Sequence, residues 1–441
     1  MHDDAVAICT EQTTALGSRC WRWLDRDGTP LGFVVIDRIV AGRSCGGIRA
    51  GTAVTAEELA RIARVMTLKC GYAGLASGGA KGGVIVPSHF SEQQRTARLD
   101  AFGRAAADLL SSGVWSHGAD MGTTELDIAR IRHAAGLGPA PASTWAAPVE
   151  SERSFSSGTA AGMTAALAAE AALESLGVPL HGARVAVQGA GAVGRAAMTM
   201  LAAAGARLVA LSTVAGALHA PDGLDVHSVL ERLRSATGEA LPGMARPDTL
   251  FEVPCDALLL CAGSDTLDLA AAERVRARTV VCAANIPFVD EVAQRLEARG
   301  VMVVPDFVAG AGGIIGSTFA AVAGITRSEL QAMLRRRFKV QVARTIERAR
   351  AEGTTLAGAA RRCAERVLDA CEAAYGGDRS PTLLADRLAL PEPFLLRRLL
   401  AVEERARGSA RLAFLARRLH GLAVSRAERV WSAALTKALA E

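Results

Sequence analysis

Residues 184–201 read RVAVQGAGAVGRAAMTML. A β-branched run, a glycine turn and an alanine-rich helical stretch follow one another in that order. In the GxGxxG of this turn, Gly189 permits the tight bend and Gly191 lets backbone approach a diphosphate. Gly194 lets the following helix lie against the strand. Ala192 and Val193 open that helix, whose free N–H groups and positive dipole end suit an anion. Downstream, RLVALST, DALLLCAG, RTVVCAAN and VMVVPD are short apolar runs separated by helical ones. That alternation predicts a parallel, doubly wound sheet, and in this setting the turn implies a dinucleotide. The ribose end is less decided. Ser212 and Thr213 close the second strand where NAD binders carry Asp or Glu. No carboxylate repels a 2′-phosphate there, and no arginine directly follows to bind one. NAD and NADP both stay open.

The chain has 441 residues, too many for one small core, so two or three domains are expected. Half the residues are hydrophobic and 22% are charged, a globular balance. The net charge of +5 is uneven: from Arg327 onward, basic groups exceed acidic ones by about ten. Few aromatic residues accompany that excess, which argues against nucleic acid and for the solvated face of an oligomerising helix. Nine cysteines without a CxxC pair fit neither a zinc site nor a secreted disulfide framework. Buried free thiols in a reducing cytoplasm fit them better, and no metal is expected. The stretch MHDDAVAICTEQ lacks the apolar segment of a signal peptide. Apolar runs are interrupted by charge before they reach membrane-spanning length.

Upstream of the turn, LGFVVIDRIV (31–40) reads as a strand and Glu57–Gly74 as an amphipathic helix. A glycine cluster holding Lys81 comes next, then a short buried strand VIVP (84–87). A helix over 92–111, a loop SHGADMGTT (116–124) and a helix from Thr123 to Ala134 complete this part. The Pro- and Ser-rich stretch 136–157 marks a domain boundary, and an Ala-rich helix (159–176) leads into the alternating region. The expected fold is therefore α/β with two domains around a cleft. The first, 1–150, binds substrate; the second, 151–326, is the Rossmann-type domain. A helical segment, 327–441, packs back on the first domain and becomes a basic tail after about 370.

GGAKGG (78–83) is not a triphosphate loop, because GxxxxGK followed by Ser or Thr is absent. Two lysines and an aspartate instead suit a small anionic substrate that exchanges hydride with a nicotinamide. The ordered set CGGIR (45–49), MTLK (66–69), GGAKGG, DMGT (120–123), GAGAVG (189–194) and PDFVAGAGG (305–313) resembles the glutamate/leucine/phenylalanine/valine dehydrogenase family, from about Leu31 to about Ala370.

The resemblance implies roles. Lys69 would bind the substrate carboxylate as a point charge. Lys81, its pKa lowered by a neighbouring cation and partial burial, would polarise the attacking water and the substrate oxygen. Asp120 would carry the proton to and from the amino nitrogen. The backbone of Gly46 and Gly47 would line the same cleft, Arg49 would brace the loop, and the glycines around Lys81 would leave room for a compact substrate. Thr159, Ala262 and Asn285 would lie beside the cofactor, with Asn285 also touching substrate. Taken singly, Lys69 reads as a solvated helix-end lysine, Asp120 as a helix cap and Thr159 as a helix N-terminal hydroxyl. Only the combination carries the functional reading.

Family members that act on glutamate place a lysine before GGxR, where this chain has Cys45. The other pocket positions that the resemblance implies are Gly118, Ile314 and Ser317, of which the first and last are small. Small residues here favour a bulky apolar or aromatic side chain and disfavour glutamate, nearer to the leucine/phenylalanine/valine branch. The activity implied is reversible NAD(P)-dependent oxidative deamination of an L-2-amino acid to the 2-oxo acid and ammonia, by a cytoplasmic homo-oligomer. Gly310 stands where asparagine is usual, and the residues beyond 370 have no counterpart in the shorter relatives. A dinucleotide-binding scaffold without turnover is the competing expectation.

Overall fold

Within PLGFVVI (30–36), alternate residues enter two different cores: Val34 and Ile36 pack with Leu99, Phe102, Ile128 and Ile131, while Phe33 and Val35 pack with Leu59, Ala60 and Ala63. A strand apolar on both faces must be covered on both, and helices do so here. The structure is a computed structural model describing residues 8–25, 27–138, 155–236, 239–323 and 325–375. The described chain divides into two compact units: residues up to 138 with 321–323 and 364–375, and residues 155–320 with 325–363. Each unit is α/β, built around its own sheet.

In the first unit the elements are β1 (Ile8–Thr13), β2 (Arg19–Leu24), β3 (Pro30–Ile36), β4 (Ser44–Cys45), β5 (Ile48–Gly51), α1 (Ala56–Tyr72), β6 (Gly78–Ile85), α2 (Glu92–Ala105), α3 (Ala107–Ser111), β7 (Trp115–Ser116) and α4 (Glu125–Ala134). The sheet order is β1-β2-β3-β6-β4-β7, with β5 also on β6. β1, β2, β3 and β6 are joined antiparallel, whereas β4 and β5 run parallel to β6. Helix α1 starts on Thr55, whose hydroxyl accepts from the Glu58 N–H, with Glu57 and Glu58 in its first turn. It buries Leu59, Ile62, Val65 and Met66 on one stripe. The helix expected over 92–111 breaks at Ala106 into α2 and α3.

GGAKGG is not a loop. It forms the first six residues of β6, continuous with the VI of the expected separate strand. Its glycines do not leave space for a ligand either. A side chain on Gly79 would overlap the α1 backbone and approach Thr67 Oγ1 at 2.6 Å, and one on Gly82 would meet Trp115 Cη2 at 2.6 Å. Helix and indole fill the room that the missing side chains leave.

The second unit holds α5 (Ser157–Ser175), β8 (Arg184–Gln188), α6 (Ala192–Ala203), β9 (Arg207–Thr213), β10 (Gly216–His219), α7 (Val226–Ser235), β11 (Cys255–Leu260), α8 (Leu269–Arg274), β12 (Ala277–Cys282), α9 (Asp290–Ala298), β13 (Met302–Val304), α10 (Asp306–Ala309), α11 (Gly312–Ala323), α12 (Arg327–Ala351) and α13 (Leu356–Tyr375); α11 and α13 run on into residues of the first. Its sheet order is β10-β9-β8-β11-β12-β13, all parallel except the edge strand β10. The order reverses at β8, since β9 lies to one side and β11 to the other. Crevices at the carboxyl ends of strands beside such a switch point are the ligand positions of doubly wound sheets.

The C-terminal segment departs from expectation. Helix α12 belongs to the second unit and packs on α5, and the chain joins the first unit only from Ala364. Helix α12 buries Leu330, Met333, Leu334, Phe338, Val342 and Ile346, and Glu170, buried on α5, pairs with its Arg335 at 2.9 Å and Lys339 at 2.8 Å. Within the first unit, Arg38 pairs with Asp369 at 2.7 Å and with Glu372. Most of the boundary stretch 136–157 and the tail beyond Tyr375 lie outside the described residues. Among the described residues, no helix is long and apolar enough to cross a membrane.

Candidate active site

Side chains alternate along β6, so Lys81 shares the α1 side of the sheet with Gly79 and Gly83, opposite Ala80 and Val84. It is 2% exposed. Its Nζ lies 2.8 Å from Asp120 Oδ2, and Arg49 Nε donates to the same oxygen at 3.0 Å. Arg49, on β5, also reaches Glu58 Oε1 of α1 at 2.5 Å. Thr123 fixes the loop: its hydroxyl donates to the Ile48 carbonyl at 2.7 Å and accepts from the Asp120 N–H at 3.0 Å. The motif spacing D-x-x-T is therefore an anchor for the aspartate.

Burial lowers the pKa of Lys81 below the ordinary 10.5; Asp120 opposes this and Arg49 adds to it. The crowding cation is thus Arg49, and the burial is almost complete rather than partial. For Asp120, burial disfavours the charge, but Lys81 and Arg49 together hold the carboxyl well below the usual range. The site contains an ionised carboxylate beside a lysine whose pKa lies below that of a free lysine.

Lys69 sits in the last turn of α1 and is 6% exposed, so it is not a solvated helix-end residue. Helix α1 packs on the Lys81 face of β6, so Lys69 lies on this side of the sheet. Cys45, in register with Gly79, shares it, and both lysine charges lower the Cys45 pKa. The glycines before Arg49 are more occupied than expected. Gly46 is buried; its N–H donates to the Ser116 carbonyl at 3.1 Å and its carbonyl accepts from Trp115 Nε1 at 2.8 Å. A side chain there would stand 2.6 Å from the Ala80 carbonyl carbon. The Gly47 carbonyl accepts from the Gly82 N–H at 3.1 Å. Close packing within the sheet accounts for both. Gly118 differs, because a Cβ there would meet nothing within 4 Å.

In the second unit the glycine turn follows β8. Gly189 has φ +95° and its N–H donates to the Ser212 carbonyl at 2.7 Å. A side chain on Gly194 would overlap the Gly189 carbonyl, whereas one on Gly191 would meet nothing within 4 Å. Gly191 is also the N-cap of α6, with Ala192 and Val193 next and no side chain capping the free N–H groups. A dinucleotide diphosphate fits this open helix end. Ser212 is buried, while Thr213 accepts from the Ala215 N–H at 3.2 Å. Thr159 is the third residue of α5; its N–H and hydroxyl both meet Ser156 Oγ, each at 3.0 Å.

Ala262 and Asn285 lie on loops that leave the carboxyl ends of β11 and β12. Asp306, from the PD pair, was not singled out in the sequence and organises one of them. It accepts from Ile286 N–H at 2.7 Å and Phe307 N–H at 2.8 Å. Ile286 has φ +43°, a conformation a β-branched residue seldom adopts unless held. The neighbouring loop is tied in through Thr266, whose hydroxyl donates to Gln188 Oε1 at 3.0 Å and whose N–H donates to the Pro287 carbonyl at 2.7 Å. Gly310 caps α10 and donates to the Asp306 carbonyl at 2.8 Å. On α11, Ser317 donates to the Ile314 carbonyl at 3.0 Å. Among the described residues, no cluster of ligands for a metal occurs.

Residues 154–374 match the model of the Glutamate/Leucine/Phenylalanine/Valine dehydrogenase family, and residues 21–135 match its dimerisation-domain model. Glutamate dehydrogenase B of Halobacterium salinarum is 32% identical over 295 residues, 65% of this chain and 69% of the relative. The catabolic NAD-specific glutamate dehydrogenase of Bacillus subtilis is 31% identical over 289 residues, 63% and 67% of the two chains. Among solved structures, the hetero-hexameric glutamate dehydrogenase of Thermus thermophilus in its leucine-bound form superimposes with a TM-score of 0.66 at 28% identity, covering 83% of this chain and 88% of the other. With its motifs in order and both of its domains matched, the chain belongs to the glutamate/leucine/phenylalanine/valine dehydrogenase family.

Proposed function

We propose that the chain catalyses reversible NAD(P)-dependent oxidative deamination of an L-2-amino acid to the 2-oxo acid and ammonia. The observation that carries this reading is the Lys81–Asp120–Arg49 cluster, whose two cations are buried, with Lys69 on the same side of the sheet. Lys69 holds the substrate carboxylate by charge. Asp120, ionised and aligned by Arg49, accepts a proton from the substrate ammonium and later returns one to the leaving ammonia. Lys81, with its lowered pKa, takes a proton from water as it adds to the iminium carbon, then holds the oxygen as the 2-oxo acid forms. Bound at Gly189–Gly194, with Thr159, Ala262, Ser212, Thr213 and Asn285 along it, the dinucleotide supplies the hydride acceptor.

Cys45 supports a substrate with a bulky apolar or aromatic side chain. Without a cation from that position, a glutamate side chain would leave its second carboxylate poorly paired, a cost that selects against it. Gly118, in the first unit, and Ile314 and Ser317, in the second, are each proposed as substrate-contact residues, a reading that sets the chain nearer the leucine/phenylalanine/valine branch. Glutamate is the second reading, favoured by the names of the curated relatives. A homo-oligomer is proposed with it, on the matched dimerisation domain, and a cytoplasmic location, on the free cysteines.

The test is a panel of L-amino acids with NAD and with NADP, followed by absorbance of the reduced cofactor. Turnover with branched or aromatic substrates is expected. Turnover confined to glutamate would overturn the argument from Cys45. Cofactor binding without turnover on any substrate would leave a scaffold.

A further inference from the structure

Two thiols meet beside the proposed carboxylate-binding lysine. Cys45 on β4 and Cys70 on the last turn of α1 place their sulfurs 3.2 Å apart. Cys70 is fully buried next to Lys69, while Cys45 is half-buried, next to Gly46. β4 is held by β6 and β7, and α1 packs on β6, where Cys70 Sγ also donates to the Gly78 carbonyl at 3.6 Å. A bond between these sulfurs would tie the end of α1 to the sheet at the point where Lys69 projects.

We propose that Cys45 and Cys70 form a reversible disulfide under peroxide, and that this cross-link switches the enzyme off. The thiolate of Cys45 attacks one peroxide oxygen; an S–O bond forms, the O–O bond breaks, and hydroxide leaves to become water. The sulfur of Cys70 then attacks the Cys45 sulfur. The S–S bond forms as the S–O bond breaks, and the departing hydroxide takes the Cys70 proton as a second water. The pair loses two electrons and the peroxide gains them. A thiol reductant reverses the change.

The reactivity of the two sulfurs differs as this sequence requires. The hydrogen bond shared by the two thiols lowers the pKa of Cys45 against burial, with Ser77, Lys69 and Lys81 assisting, and raises that of Cys70. Burial pushes Cys20 up to about 11 and Cys255 and Cys261 up to about 12, as expected of inert core thiols. Bond formation needs the sulfurs to close by about 1 Å. A displacement of that size at a binding group can cost about 100-fold in rate. The loss of turnover rests on the roles proposed above for Lys69 and Cys45; the cross-link does not.

The full chain is treated with hydrogen peroxide, alkylated and digested with trypsin without reduction. Mass spectrometry should find peptide 44–49 joined to peptide 70–81, and dithiothreitol should separate them. Sulfonic acid or alkylated thiol at Cys45 with no joined peptide would overturn the proposal. Amino-acid-dependent cofactor reduction should fall at least about tenfold on oxidation and return with dithiothreitol. Cys70→Ser, or Cys70→Ala if the first variant folds poorly, should keep basal turnover and lose the sensitivity. A joined peptide with unchanged turnover would overturn the switch. A joined peptide in a chain that turns over no amino acid even when reduced would support the cross-link while refuting the proposed function.

Discussion

Lys81 Nζ lies 2.8 Å from Asp120 Oδ2, and that same oxygen accepts from Arg49 Nε at 3.0 Å. One carboxylate oxygen serves two cations inside the first unit. The aspartate therefore stays ionised, while Lys81, losing water and facing a competing guanidinium, gives up its proton more readily than a free lysine.

The deamination rate should rise with pH through the Lys81 pKa, below the ordinary 10.5. Glu58 pairs with Arg49 and its charge raises the Lys81 pKa. Glu58→Gln should therefore shift this limb to lower pH by a few tenths of a unit, about the size of a screened charge effect. Profiles of kcat/KM measured on both proteins decide it, and a shift to higher pH would sink the account.

Lys81→Ala should reduce turnover by about 10³-fold, the scale of a lost proton-transfer group. Dinucleotide affinity should change little, because Gly189–Gly194 lies in the other unit. Fluorescence titration with reduced dinucleotide alongside steady-state kinetics separates the two effects. Equal loss of binding and turnover would count against a catalytic lysine.

Asp120 links stability to pH. Its folded pKa is depressed below the ordinary 3.8, so its contribution is fully present above that value and lost as pH falls through the folded pKa. Asp120→Asn leaves Lys81 and Arg49 facing a neutral amide and should cost about 3 kcal/mol at neutral pH. The gap between the two proteins should narrow in strong acid. Denaturant melts at neutral pH and at about pH 3 test this, and a gap that widens toward acid would refute it.

Gly191 and Gly194 should separate by phenotype. Gly194→Ala forces the α6 backbone off Gly189 and should destabilise the unit by about 1–3 kcal/mol. Gly191→Ala meets no atom within 4 Å and should leave the melting temperature unchanged while weakening dinucleotide binding. Calorimetry and titration on both variants provide the check. A destabilised Gly191→Ala with intact binding would show that the turn has no ligand.

The second unit was legible because its signals are local: a strand, a glycine turn and a helix occupy consecutive residues, and parallel strands buried on both faces read as apolar runs. The edges were not. β1, β2 and the two-residue strands β4 and β7 carry no run long enough to register, and they exist through their neighbours. In the first unit, residue types and order announced Lys69, Lys81 and Asp120, but not that Arg49 shares the Asp120 oxygen or that Asp306 holds Ile286 in a strained conformation.

By itself the sequence determined the fold class, the family and the identity of the charged groups, since each is written in spacing along the chain. Tertiary structure alone decided what surrounds them. GGAKGG became a strand because α1 and Trp115 occupy the space its glycines vacate. The same packing removes water from Lys81 and brings Cys45 to Cys70 across 25 residues of chain. Proton affinity and thiol contact depend on distances between segments remote in sequence, and only the folded chain sets those.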